Sequence, residues 1–182
     1  MKVIKWIFVV IIIIGLLALS FAWYSGFFAT VEIIEKDMGP YELVYKKHIG
    51  DYSKSYIIQN EVYESLLADG IETERGFGIY YDNPKTVEIT KLRSDLGCIL
   101  NSENSKKIES FSSKYNIRIK EKSNCVVIEF PYINKLSIIA GVIKVYPAFR
   151  AYAAEKGIEL GEAMEIYDIT NKKITYLMVI NK

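Results

Sequence analysis

The chain has 182 residues and nearly balanced charge, 23 basic against 22 acidic side chains for a net +1. That balance argues against a strongly basic nucleic-acid binder, and no nucleic-acid partner is expected. Two cysteines and one histidine, with no CxxC or HExxH, exclude a disulfide-framed mini-domain and make a structural zinc site a poor fit, so neither metal nor cofactor is expected.

The first 31 residues stand apart. No charged residue occurs from Trp6 to Val31, a run of 26, where about 20 suffice to cross a bilayer as a helix. Trp6 lies near one end and Trp23 and Tyr24 near the other, the depths that interfacial aromatics favour. A cleaved signal peptide is the alternative, with Lys2 and Lys5 as its basic region and Ser20-Phe21-Ala22 as the cleavage site. Its apolar run should span only about 7–15 residues. Residues 1–31 are therefore read as a single-pass anchor that meets lipid over residues 6–31. Lysine counting on its two flanks leans towards a cytoplasmic N-terminus.

Residues 32–182 have the size of one domain. A Gly-Pro turn leads into a strand over Tyr41–Ile49. Tyr52, Tyr56, Tyr63, Leu66 and Leu67 then recur at helical spacing, and Asp69-Gly70 stops the helix. Phe77–Tyr81 is a strand and Asp82-Asn83-Pro84 a turn. "TVEITKL" reads as the returning strand, with Leu92–Leu100 less regular. A polar, serine-rich linker over about 101–122 holds a short helix around Lys106–Tyr115. The pattern then restarts. "CVVIEFPYI" is a strand, and a helix follows with Leu136, Ile139, Ile143 and Ala153 near one face. Pro147 should kink or split that helix, and Gly157 closes it. "AMEIYDI" and "ITYLMVI" form a final hairpin around Asn171-Lys172.

Each half, about 41–100 and 123–181, is thus strand, helix, strand, strand. An offset of 87 residues sets Gly70 on Gly157, Ile71 on Ile158, Ile79 on Ile166 and Tyr80 on Tyr167. A repeated element order together with repeated residues indicates duplication. Two such units would pair about a pseudo-twofold axis, with a groove between the copies.

Gly50 and Tyr52 at the first helix, "GIYYDNP" at Gly78–Pro84 and "EIYD" at Glu165–Asp168 resemble the GyrI-like small-molecule-binding domain. "LGCIL", "FPY", "SIIA" and "YPA", in that order behind an apolar N-terminus, resemble more narrowly its membrane-anchored, testis-expressed branch in animals, endoplasmic-reticulum autophagy receptors. The resemblance covers roughly Tyr41–Ile180. It implies an α+β fold of duplicated βαββ modules with pseudo-twofold symmetry (GyrI-like, or SHS2). With no helix-turn-helix ahead of the domain, a transcription activator is not expected.

Glu165 is the residue singled out. Strand alternation leaves it open whether its side chain points into the groove or outward, and the resemblance places it in the groove. There it would await a cation or hold a proton. Tyr45, Tyr80, Tyr81, Tyr132, Phe149 and Tyr167 are the candidate walls, since aromatic faces attract cations and phenols add hydrogen bonds. Core packing is the alternative for each. Ile79 and Ile166 are expected to face the helices, and Tyr80, Tyr167, Glu165 and Gly78 the opposite face. His48 reads as a strand residue, and Cys98 and Cys125 as small buried apolar groups that could pair if the domain is exported. The leading function is binding of an apolar or cationic aromatic small molecule. The alternatives are a membrane-tethered adaptor that recruits a protein partner, and a hydrolase of strained electrophiles using Glu165. Catalytic relatives favour a tryptophan in the groove, which this domain lacks.

Overall fold

The computed structural model describes residues 2–101, 104 and 113–181. Helix α1, Lys2–Tyr24, is exposed along most of its length and apolar on every side. It has no polar stripe to turn to water and is long and apolar enough to cross a membrane. Among the described residues, eight strands and two further helices follow: β1 Ile34–Met38, β2 Tyr41–Ile49, α2 Ser55–Ala68, β3 Arg75–Tyr80, β4 Arg93–Ile99, β5 Asn116–Lys120, β6 Ser123–Pro131, α3 Lys135–Lys156, β7 Glu159–Asp168 and β8 Lys173–Asn181. The short helix expected around Lys106–Tyr115 falls largely outside the described residues.

The strands form one sheet in the order β1-β6-β8-β7-β3-β4-β2-β5, and every neighbouring pair is antiparallel. The order is a palindrome of two βαββ modules, β2-α2-β3-β4 and β6-α3-β7-β8, joined where β3 pairs with β7. There Gly78 and Glu165, 87 residues apart, stand directly opposite each other. Phe77 faces Ile166 and Ile79 faces Met164 on either side. The pseudo-twofold axis therefore passes between Gly78 and Glu165. The sheet curls, for Lys120 on the edge strand β5 reaches the ion-pairing partner Glu162 on β7.

Strands β1 and β5 lie outside the two strand-helix-strand-strand units that the sequence pattern marks. Each precedes its own module in sequence but pairs with the other: β1 with β6, and β5 with β2. Each copy thus lends the other its edge strand. "IEKDM" and "NIRIK" are five residues long and charge-bearing, which suits an edge and hides them from pattern reading.

Three expectations are corrected. The returning strand after the Asp82 turn is Arg93–Ile99, while "TVEITKL" is an irregular connection, largely exposed up to the buried Leu92, with one 3-10 segment at Ile89–Lys91. The stretch Ser94–Leu100 is buried throughout and fills a central strand, as the more polar "TVEITKL" cannot. Helix α3 runs unbroken through Pro147. Its buried face carries Ser137, Ala140, Gly141, Val145 and Phe149, leaving Ile139 and Ile143 exposed. Small residues there let the helix settle onto β8: a Cβ at Gly141 would lie 2.2 Å from Tyr176 Oη. Finally, Ile79 and Ile166 do not face the helices. They join Leu43, Phe77, Cys125, Val127, Met164 and Leu177 in a core on the opposite side. Val44, Val62, Leu66 and Cys98 form a core beneath α2, and Val126, Phe130, Val145, Phe149 and Tyr176 one beneath α3. Cys98 and Cys125 are buried free thiols in different cores, on opposite faces of the sheet.

Candidate ligand-binding site between the repeats

Each helix covers the strands of its own module, so the two part over the axis. The gap is a groove of about 2240 Å³, open to solvent and roofed by neither helix. That exceeds an ordinary small-molecule pocket of roughly 300–1,000 Å³. Its floor is the helix-facing side of β3 and β7. Strand alternation sets Gly78 and Tyr80 beside Glu165 and Tyr167 on that floor, because the intervening Ile79 and Ile166 point into the core behind.

Glu165 is only 4 % exposed. Tyr146, on the groove side of α3, donates to its Oε1 at 2.6 Å, and Tyr167 donates to Oε2. Burial raises its pKa, and the two phenol hydrogen bonds act in the other direction by favouring the charged form. Both phenols lie well above the ordinary tyrosine value, through burial first and then the nearby carboxylate, so they remain donors. The Tyr80 hydroxyl sits beside those of Tyr167 and Ser55 and is likewise raised, chiefly by burial. Its ring folds over Gly78, where a Cβ would come within 2.7 Å of Tyr80 Oη. The glycine is thus the reason one phenol can lie flat across the axis. Tyr52 meets Tyr80 edge-on at 4.8 Å, and Tyr176 meets Tyr146 edge-on at 6.2 Å.

The groove brings together five of the seven residues chosen from sequence: Glu165, Tyr167, Tyr80, Tyr81 and Tyr132. Tyr81 lies at the rim with its hydroxyl committed. It donates to Asp95 at 2.7 Å and accepts from Arg118 at 2.9 Å, and its pKa is pushed up to about 12, first by burial and then by that bond to Asp95. Tyr45 is not in the groove; it packs against the core on the other face, under the Arg118 guanidinium. Phe149 is core, one helical turn beyond Val145 on the sheet-facing side of α3. His48 is absent from the groove walls. The residue missed is Tyr146. It follows Val142 by four positions and Ile139 by seven, so helical spacing puts the three on one face, but only the packing of α3 shows that this face looks onto Glu165.

The arrangement is a buried carboxylate held by two phenols at the base of an aromatic groove. It can neutralise a cation desolvated there, while rings and the exposed Ile139, Val142 and Ile143 meet apolar surface.

The chain matches no protein-family model. It is 28% identical over 156 residues to testis-expressed protein 264 homolog of Mus musculus, across 81% of this chain and 49% of that protein. It is 29% identical over 157 residues to testis-expressed protein 264 of Homo sapiens, across 82% and 49%. The chain thus spans about half the length of the curated relatives it matches. Among solved structures it is similar to the EcmrR C-terminal domain, with a TM-score of 0.59 at 9% identity over 84% of this chain and 98% of that one. It is also similar to SAV2435 bound to tetraphenylphosphonium, with a TM-score of 0.57 at 12% identity over 82% and 94%. These likenesses show the fold, the duplicated βαββ architecture of the GyrI-like domain.

Proposed function

We propose that this chain is a membrane-tethered binding protein whose groove holds an apolar or cationic aromatic small molecule, with α1 as the tether. The observation that carries the reading is Glu165, buried at the pseudo-twofold axis on two phenol donors and open towards the gap between α2 and α3. A carboxylate in that setting is costly when left without a countercharge, and a bound organic cation offsets the cost. Phenol rings contribute cation–π attraction as the site is desolvated. SAV2435, of similar fold, is described with tetraphenylphosphonium bound, a monocation clothed in aromatic rings. The same chemistry suits the groove described above.

Thermal unfolding of the full chain in detergent, with and without tetraphenylphosphonium, tests the reading. At about 10 Kd the ligand stabilises by about 1.4 kcal/mol, an upward shift of roughly 3–6 °C. Glu165→Gln keeps the shape and the phenol contacts but removes the charge. It should lose most of the shift for the cation and keep that for a neutral aromatic of equal size. Equal shifts in wild type and Glu165→Gln would reject the carboxylate as the recognition element.

A further inference from the structure

The junction between α1 and the rest of the chain contains no free linker. Ser25, the first residue after α1, is fully buried. Ser137 Oγ donates to its carbonyl at 3.1 Å, and Asn134 Nδ2 reaches its hydroxyl at 3.1 Å. Asn134 and Ser137 also form the capping box of α3. Phe27, Ala29, Val31 and Ile33 pack on the core beneath α3, and Lys144 Nζ donates to the Ala29 carbonyl at 2.8 Å. The N-terminus of α3 is therefore fastened to the end of α1, beside the exposed Trp23, Tyr24 and Phe28.

The same end of the molecule exposes apolar surface that the fold does not use. Ile139 and Ile143 are 51% and 59% exposed, and with Val142 they share one face of α3. Ile139 lies about 8 Å along the helix from Asn134, and Ile143 about 14 Å. Ile133 precedes the helix. Ile169, 63% exposed, tips the β7–β8 turn, which meets the start of α3 where Tyr132 N–H donates to the Lys172 carbonyl at 2.9 Å. From Tyr132 to Arg150 the charged residues are Lys135, Lys144 and Arg150, with no acid among them. Composition alone would let α3 pass for a membrane helix, although it packs on the sheet.

We propose that α3 and the β7–β8 turn lie on the bilayer that α1 enters, with Ile133, Ile139, Val142, Ile143 and Ile169 in the headgroup–acyl boundary and Lys135 and Arg150 on anionic lipid headgroups. A basic, apolar helix face sinks roughly 5–10 Å into that boundary, and α3 cannot drift away because Ser25 is bonded to its cap. Since Tyr146 continues the Ile139–Val142 face into the groove, one wall of the groove then stands at the lipid surface, and apolar cations reach Glu165 out of the membrane. The docking rests on α1 spanning a bilayer, and not on the groove having a ligand.

The test uses the full chain in vesicles of phosphatidylcholine, with or without phosphatidylserine. Cys98 and Cys125 are buried, so Ile139→Cys, Ile143→Cys and Ile119→Cys each offer one exposed thiol for a fluorophore. Ile119 is exposed on β5, at the edge of the sheet opposite β1. Lipids brominated near the top of the acyl chain should quench the 139 and 143 labels severalfold more than the 119 label. Phosphatidylserine should widen the difference, and Lys135→Glu with Arg150→Glu should remove that widening. Carbonate extraction reads the anchor separately. Protein that resists extraction but shows equal, weak quenching at all three labels would overturn the docking and leave the anchor standing. Protein released by carbonate would overturn both. Shielded 139 and 143 labels with a doubled particle mass would assign the face to a second copy and overturn the proposal.

Discussion

Glu165 and Gly78 occupy equivalent positions in the two copies, and the fold uses that asymmetry. One copy places charge at the axis; the other leaves room for the Tyr80 ring. The raised carboxyl pKa of Glu165 sets the sign of two pH effects. Above the ordinary glutamate value and up to the raised one, the folded state binds more protons than the unfolded state. Stability of the ligand-free chain should fall as pH rises through that window. Cation affinity should rise through the same window and then level off, because binding favours the ionised form. Urea unfolding across pH checks the first sign and titration calorimetry the second, with Glu165→Gln as the flat reference in both. Gly78→Ala should cost about 1–3 kcal/mol, since the Tyr80 hydroxyl and the ring edge behind it must move aside, and it should weaken ligand binding by displacing Tyr80. Gly97→Ala meets the Val44 carbonyl at 2.0 Å, which is backbone and cannot step aside. It should cost about 3 kcal/mol or more, read by urea unfolding.

Among the elements, the central strands divide labour by face. Ile79 and Ile166 are buried in the core behind the groove, and truncation of either to alanine should cost about 2–5 kcal/mol. Tyr80→Phe and Tyr167→Phe keep the rings and should cost far less, acting mainly on ligand affinity. If the order of those effects on chemical denaturation were reversed, the faces would be assigned backwards. Alternation along β3 and β7 is legible in the sequence, and it sets Glu165 with Tyr167, and Gly78 with Tyr80, on one face. Which face the helices cover was not legible, because both faces of a central strand are apolar enough to be buried. For α3 the apolar spacing sets Leu136, Ile139 and Ile143 near one face, yet the buried stripe is the one with Ser137, Ala140 and Gly141. Close approach to Tyr176 outweighed hydrophobicity there. Asn134→Ala removes a helix cap and a bond to Ser25, and should cost about 1–2 kcal/mol in thermal unfolding.

In the whole molecule, the exchanged edge strands make the two copies interdependent. β1 completes the module that contains β6, and β5 completes the one that contains β2. Lys120–Glu162 and Arg118–Asp95 then tie β5 back across the curled sheet. Neither half alone has its full set of strands, and separation would open the β3–β7 seam, whose buried side is shared core. Far-ultraviolet circular dichroism and near-ultraviolet aromatic signals should therefore follow one coincident unfolding transition in urea. Separately produced halves should not fold. Two resolved transitions would show that the modules stand independently.

The sequence by itself determined the apolar N-terminal helix, the duplication and its 87-residue offset, and which residues share a strand face. Those follow from composition and from local periods of 3.6 and 2, which need no partner element. It also contained the resemblance that placed Glu165 in a groove. Only the tertiary structure decided that the groove lies on the helix side, that Tyr146 reaches Glu165 while Tyr45 and Phe149 do not, and that β1 and β5 change partners. Each of these depends on how elements distant in the chain pack together. The local pattern is the same for either packing, and the choice is made by burial and close approach across the axis.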